Sequence, residues 1–211
     1  ITTKRLPGPP LLAVEVACPP QRSHRGKRNI TGVFQYWDGI DRTWNPGGLW
    51  RPLRMFDTGA VRIDRFRVLC RDADEVRAHL LLAAQLDSDE ARAVTVRTYL
   101  DYELVAESEH RLAGGLNQIN WNLDIADPAL WWPRALGEQP LTTVAIEVVT
   151  DGEVSDRRHR RTGLRVVAWN DWQCSVNGER LFLKGANLLP TRAALGDATA
   201  DEARRDVELA A

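Results

Sequence analysis

The chain has 211 residues, more than one small domain needs and enough for one large domain or two modest ones, at roughly 100 to 150 residues per domain. Its 28 Lys and Arg against 29 Asp and Glu give a formal net charge of -1, so no overall field favours nucleic acid or an anionic membrane surface, and a neutral partner is expected. No apolar run approaches the ~20 residues that span a bilayer, and the start, Ile1-Thr2-Thr3-Lys4, has neither an initiator Met nor a signal-peptide pattern. The N-terminus therefore reads as a cut in a longer protein, whose location is unknown, with the cytoplasm favoured over secretion.

In chain order, Leu11 to Ala17 is a short apolar strand, ended by Cys18-Pro19-Pro20, where the prolines remove ladder donors. A polar, basic loop runs from Gln21 to Arg28. From Asn29 to Pro52 aromatic residues stand among Asp, Gly, Asn and Pro without helical or strand periodicity, the composition of a structured loop that carries something.

After Arg51-Pro52 the texture becomes β alternation. Val61, Ile63, Phe66 and Val68 fit one strand with a slip of register in its middle, and Val76, Ala78, Leu80, Leu82, Ala84 and Leu86 fit a second at period two. Asp87-Ser88-Asp89-Glu90 is a turn. Val94, Val96, Thr98 and Leu100 supply a third strand, Trp121, Leu123 and Ile125 another, and Val144, Ile146 and Val148 one more before Asp151-Gly152. Short strands separated by turn signals predict an antiparallel β-sandwich of immunoglobulin-like size, about 100 residues. The basic run Arg157-Arg158-His159-Arg160-Arg161 reads as the solvated face of an edge strand, where charge blocks unwanted pairing, rather than as a phosphate site.

Beyond Arg161, Asn177-Gly178 lies between apolar flanks, a strong hairpin signal because both residues tolerate positive φ. Thr199-Ala200-Asp201-Glu202 is a capping box, with Ala203, Val207, Ala210 and Ala211 following at helical spacing. A strand, a loop and a helix in this order predict the first β/α unit of a larger α/β domain, truncated in its first helix.

Cys18, Cys70 and Cys174 are odd in number and far apart, so neither a disulfide framework nor a zinc spacing can be written, and buried free thiols are expected. His24, His79, His110 and His159 have no ligand spacing. No metal or cofactor is expected. Of the eight tryptophans (Trp37, Trp44, Trp50, Trp121, Trp131, Trp132, Trp169 and Trp172), most should lie in the core or at domain junctions, with one or two facing a ligand, since a flat indole packs a β core and also stacks on sugar rings.

Three segments resemble family 2 glycoside hydrolases of the β-mannosidase and β-galactosidase type. Gly48-Leu49-Trp50-Arg51-Pro52-Leu53 resembles the close of their sugar-binding domain. Asp127-Pro128-Ala129-Leu130-Trp131-Trp132-Pro133, with Gln139-Pro140-Leu141, resembles a loop of their immunoglobulin-like domain. Arg161-Thr162-Gly163-Leu164-Arg165 and Val176-Asn177-Gly178-Glu179-Arg180-Leu181-Phe182-Leu183-Lys184-Gly185-Ala186-Asn187 resemble the lead-in to their TIM barrel. The resemblance implies a mostly β chain with three parts. Residues 1–56 would be the C-terminal part of a jelly-roll sugar-binding domain, 57–162 the immunoglobulin-like sandwich, and 163–211 the start of a truncated TIM-barrel catalytic domain.

Family members are retaining exo-glycosidases, which need two carboxyl groups about 5 Å apart, and both family glutamates stand on later barrel strands. None of Glu179, Glu202 or Glu208 matches their context, so no catalytic residue is expected in this chain, which alone should be inactive. In β-mannosidase-like members the loop around Trp37 carries Trp-Asp-Trp-Gly-Pro, whose Asp reaches hydroxyls of the terminal sugar. Asp38 after Trp37 is the best match; Gly39-Ile40 departs from the pattern, and Asp41 is the alternative. A carboxylate there would accept two sugar O–H bonds, or these residues would cap turns or pair with Arg42 and Arg51. Trp37 and Trp44 would form a stacking wall or anchor the loop. Asn187, at the C-terminal end of a barrel strand, would stand near the site or form a turn. The expected partners are a terminal β-linked sugar and the barrel of the same protein, with no nucleic acid and no membrane. The competing reading is a stand-alone carbohydrate-binding or adhesion-like β-sandwich without hydrolase activity.

Overall fold

The computed structural model describes residues 14–15, 49, 52–54, 56–188, 191–192 and 197–210. The chain divides into two compact units, Phe56–Gly185 and a second made of Ile1–Met55 with Ala186–Ala211. Among the described residues no helix is long and apolar enough to cross a membrane.

The first unit is antiparallel β throughout. Its strands are β1 (Val61–Ala73), β2 (Arg77–Ser88), β3 (Arg92–Leu100), β4 (Glu103–Leu112), β5 (Gly115–Ala126), β6 (Thr142–Thr150), β7 (Glu153–Thr162), β8 (Val167–Asn170), β9 (Gln173–Val176) and β10 (Glu179–Leu181). They form a three-stranded sheet β1-β2-β5, a four-stranded sheet β4-β3-β6-β7 and a small sheet β10-β9-β8. The first two face each other as an immunoglobulin-like sandwich. Period-two alternation puts Ala78, Leu80, Leu82, Ala84 and Leu86 of β2 inward, against Val94 and Val96 of β3 and Val144, Ile146 and Val148 of β6. Across this core the Trp121 Nε1–H donates to the buried hydroxyl of Thr98 at 3.1 Å, and the Trp121 ring stacks on Phe66 with centroids 6.4 Å apart.

The expected slip in the first strand is a bulge between Ile63 and Arg65, which returns Phe66 to the core side. Val76 is a correction to the expected second strand. It lies before β2 and is 73% exposed, because the Asp74 carboxylate accepts the amides of Val76 and Arg77, both at 2.8 Å, and closes a turn there. Arg157 to Arg161 do lie on an edge strand, β7.

A second bulge, at Ser155, re-aims the start of β7 toward β1. The Ser155 hydroxyl accepts the Val61 amide at 2.9 Å and donates to the Val61 carbonyl at 2.8 Å, while Asp156 accepts the Ile63 amide at 2.8 Å. Both side chains are buried, so the two sheets are sewn together at this corner by satisfied polar groups. On the outer face of the larger sheet, register places Glu107, Arg97, Glu147 and Arg157 in one row across four strands. Charges alternate along it. Arg97 bonds Glu107 at 2.7 Å, and the buried Glu147 accepts from Arg157 and, at 2.6 Å, from the Tyr99 hydroxyl.

Four hairpins turn on two residues of positive φ: Asp101-Tyr102, Asp151-Gly152, Asp171-Trp172 and Asn177-Gly178. These are the primed turns whose twist matches that of paired strands. In the other unit, α1 (Ala200–Ala210) begins at the expected capping box. The Thr199 hydroxyl accepts the Glu202 amide at 3.2 Å, the Glu202 carboxylate accepts the Thr199 amide at 2.9 Å, and Arg192 donates to Glu202 through Nε at 2.8 Å. These bonds hold the Glu202 carboxyl below its ordinary range, the Thr199 amide first.

Candidate functional site

The segments that carry the family resemblance within the described unit meet at one joint, where the sandwich passes into the small sheet. The loop after β5 runs alongside the strand leaving β7. Leu130 forms a parallel bridge with Leu164, and the Trp131 amide donates to the Leu164 carbonyl at 2.9 Å. The Trp131 indole lies on Gly163, where any side chain would collide with the ring. The Arg165 guanidinium stands over the Trp131 ring, 4.5 Å from its centroid, and Arg165 also donates to the Gly163 carbonyl at 2.9 Å.

Asn177 closes the joint from the small sheet. Its side-chain oxygen accepts the Val166 amide at 3.0 Å, its side-chain nitrogen donates to the Trp131 carbonyl at 3.1 Å, and its own amide donates to the Val166 carbonyl at 2.9 Å. A residue at φ 50 that must also accept and donate through its side chain is best served by Asn, which tolerates the left-handed region. Trp132 packs beside Gly137 and bonds the Glu138 carbonyl through its amide at 2.8 Å, so the loop is internally braced. The joint is built from backbone groups, the Trp131 ring and the side chains of Asn177 and Arg165.

Cys70 borders this region. Burial pushes its thiol up, while the backbone and charge of Arg165 pull it partly back. It and Cys174 are free, Cys174 buried and Cys70 half-buried, while Cys18 lies outside the described residues. On the outer face of the smaller sheet His79 Nδ1 and Asp124 Oδ1 are 2.6 Å apart, an exposed cross-strand pair whose bond holds the Asp124 carboxyl below its ordinary range. Among the described residues no group of three or more His, Cys, Asp or Glu side chains could hold a metal ion.

Of the residues expected to touch sugar, Trp37, Asp38, Asp41 and Trp44 lie outside the described residues. Asn187 is described. It is exposed, in a stretch from Phe182 to Leu188 that is neither helix nor strand. The latch role of Asn177 and the stacking of Arg165 on Trp131 were not foreseen; Asn-Gly signals the turn but not the carbonyl that the Asn side chain reaches.

The comparisons with known proteins agree with this architecture. Residues 61–165 match the family model described as glycosyl hydrolases family 2. An exo-beta-D-glucosaminidase of Hypocrea jecorina is 27% identical over 156 residues, 64% of this chain and 18% of that protein. Beta-mannosidase B of Emericella nidulans is 23% identical over 192 residues, 84% of this chain and 22% of that protein. The chain thus spans about a fifth of the length of these curated relatives. Among solved structures, a beta-D-mannosidase from Dictyoglomus thermophilum superposes with a TM-score of 0.62 at 26% identity, over 72% of this chain and 20% of that one. An exo-chitosanase of Amycolatopsis orientalis, at 22% identity and a TM-score of 0.63 over 72% of this chain and 19% of that one, shares the fold. With the sandwich, its loop and the strand leaving it all matched by the family model, the chain belongs to glycosyl hydrolase family 2.

Proposed function

We propose that this chain is the non-catalytic portion of a retaining exo-β-glycosidase, which fixes the sugar-binding loop and the catalytic barrel in register. In this reading residues 1–56 close the sugar-binding domain, 57–162 form the sandwich and 163–211 lead into the barrel. The observation that carries it is the joint of Trp131, Gly163, Arg165 and Asn177, which spends its bonds on orienting the segment after the sandwich. The relatives named as a glucosaminidase and as mannosidases support a terminal β-linked sugar as substrate. Asp38, or Asp41 beside it, holds hydroxyls of that sugar, Trp37 and Trp44 wall the loop, and Asn187 stands near the site.

The test is made in the full-length protein. A carboxylate that binds sugar hydroxyls strengthens its bonds as the oxocarbenium-like transition state forms, so Asp38→Ala lowers kcat/KM by roughly 10-fold to 150-fold, about 1.5 to 3 kcal/mol, with little change in melting temperature. A turn-capping Asp does the reverse. Unchanged kcat/KM in both Asp38→Ala and Asp41→Ala removes this loop from the substrate site.

A further inference from the structure

Asn177-Gly178 is the one Asn-Gly step in the chain, and this dipeptide carries a reaction of its own. The Gly nitrogen, with no Cβ beside it to crowd the approach, attacks Cγ of the preceding carboxamide and displaces its NH2 as ammonia. A succinimide ring closes between the two residues, and water opens it to aspartate or to isoaspartate. Water is the one co-reactant, so the rate in a folded chain depends on whether the carboxamide is free to turn onto the next nitrogen.

Here the carboxamide is held at both ends. Its Oδ1 accepts the Val166 amide at 3.0 Å, and its Nδ2, the leaving group, donates to the Trp131 carbonyl at 3.1 Å. Those partners lie 11 and 46 residues away in sequence, so the amide is restrained by the joint rather than by its own turn. Asp151-Gly152 supplies the contrast. It has the same turn geometry, φ 52 and 84 against 50 and 86, but the Asp151 side chain is 94% exposed and its one ion-pair contact among the described residues is Arg92 at 3.9 Å.

We propose that Asn177-Gly178 is a deamidation site kept latent by the joint, and that its conversion keeps the joint from closing again. Local opening frees the carboxamide from Val166 and Trp131 and admits the attack of the Gly178 nitrogen. Either product then lacks the latch. Aspartate is an acceptor only, so it would set a carboxylate oxygen against the Trp131 carbonyl where a donor stood. Isoaspartate adds a methylene to the backbone of a two-residue turn, whose register depends on its length.

The test uses the full-length protein carrying Asp151→Asn, which puts a second Asn-Gly step into the matching turn without the tertiary bonds. The protein is incubated in mildly alkaline buffer, folded or in urea, and peptide mapping by mass spectrometry reads conversion at both positions over time. In the folded protein position 151 should convert at least about tenfold faster than Asn177, and in urea the two rates should converge. Gly163→Ala, which pushes on Trp131, should speed conversion at Asn177 and leave position 151 unchanged, and Arg165→Ala should act in the same direction if Gly163→Ala does not fold. Asn177→Asp, the product made directly, should have a lowered Tm. Equal rates at the two positions in the folded protein overturn the proposal, because the joint would then restrain nothing. An Asn177→Asp variant with unchanged Tm overturns it as well, since conversion would leave the joint intact.

Discussion

A Cβ at Gly163 would stand 2.5 Å from Cγ of Trp131, closer than any real carbon approaches. The ring cannot retreat freely, because the Trp131 backbone is bonded to Leu164 and to Asn177 and its face is covered by Arg165. Gly163→Ala should therefore cost about 1 to 3 kcal/mol, the usual range for overpacking. Urea denaturation read through Trp fluorescence measures it, and a cost near zero would show that the indole has room to shift.

Asn177 should be more sensitive than its place in a turn suggests. Asn177→Ala removes both side-chain bonds at the joint and leaves a Cβ residue at φ 50, a combined loss of about 2 to 4 kcal/mol. Asn177→Gly loses the same bonds without the backbone strain and should be about 1 kcal/mol milder. Comparing the two by chemical denaturation separates latch from turn.

Glu147 should depend on both of its partners. Buried between the Tyr99 hydroxyl and Arg157, it should cost about 1 kcal/mol when Tyr99→Phe removes one neutral donor, and about 2 to 4 kcal/mol when Glu147→Ala leaves both partners without an acceptor. A double-mutant cycle of Tyr99→Phe with Glu147→Ala should give a non-zero coupling, and additivity would show that the bond contributes nothing.

Acid should loosen the outer face of the smaller sheet and the turn before it. Asp124, bonded to His79, and Asp74, bonded to the amides of Arg77 and Val76, both titrate below their ordinary range. A depressed carboxylate pKa contributes stability that is complete above the unfolded value of about 3.9 and is lost as pH falls through the folded one. Asp74→Asn and Asp124→Asn should each flatten the stability profile below about pH 4. Denaturation midpoints between pH 2 and 7 test this.

Much of the sandwich was legible because its inward positions keep strict period two, as in Ala78, Leu80, Leu82, Ala84 and Leu86. β4 was not, since Glu103 to Leu112 forms an edge strand whose side chains are mostly exposed and polar, and alternation has nothing to mark. The joint was half legible. Its segments stood out as motifs, but their meeting depends on side-chain bonds to backbone carbonyls, which leave no periodic trace. Phe182 to Asn187 was expected to continue as a barrel strand; its described backbone is extended neither as strand nor as helix, and Asn187 is exposed. A local apolar pattern cannot form a ladder without neighbouring strands.

The stitch between Val61 and Ser155 joins residues 94 positions apart, and Asp156 reaches Ile63 across nearly the same span. During synthesis at about 5 to 20 residues per second, the amides at the head of β1 emerge roughly 5 to 20 seconds before the side chains that accept them. Until then β1 can zip onto β2 while the amides of Val61 and Ile63 lack these acceptors. The nascent chain thus passes through an interval in which a chaperone or a neighbouring polysome product can pair with that edge, and the arrival of Ser155 ends it.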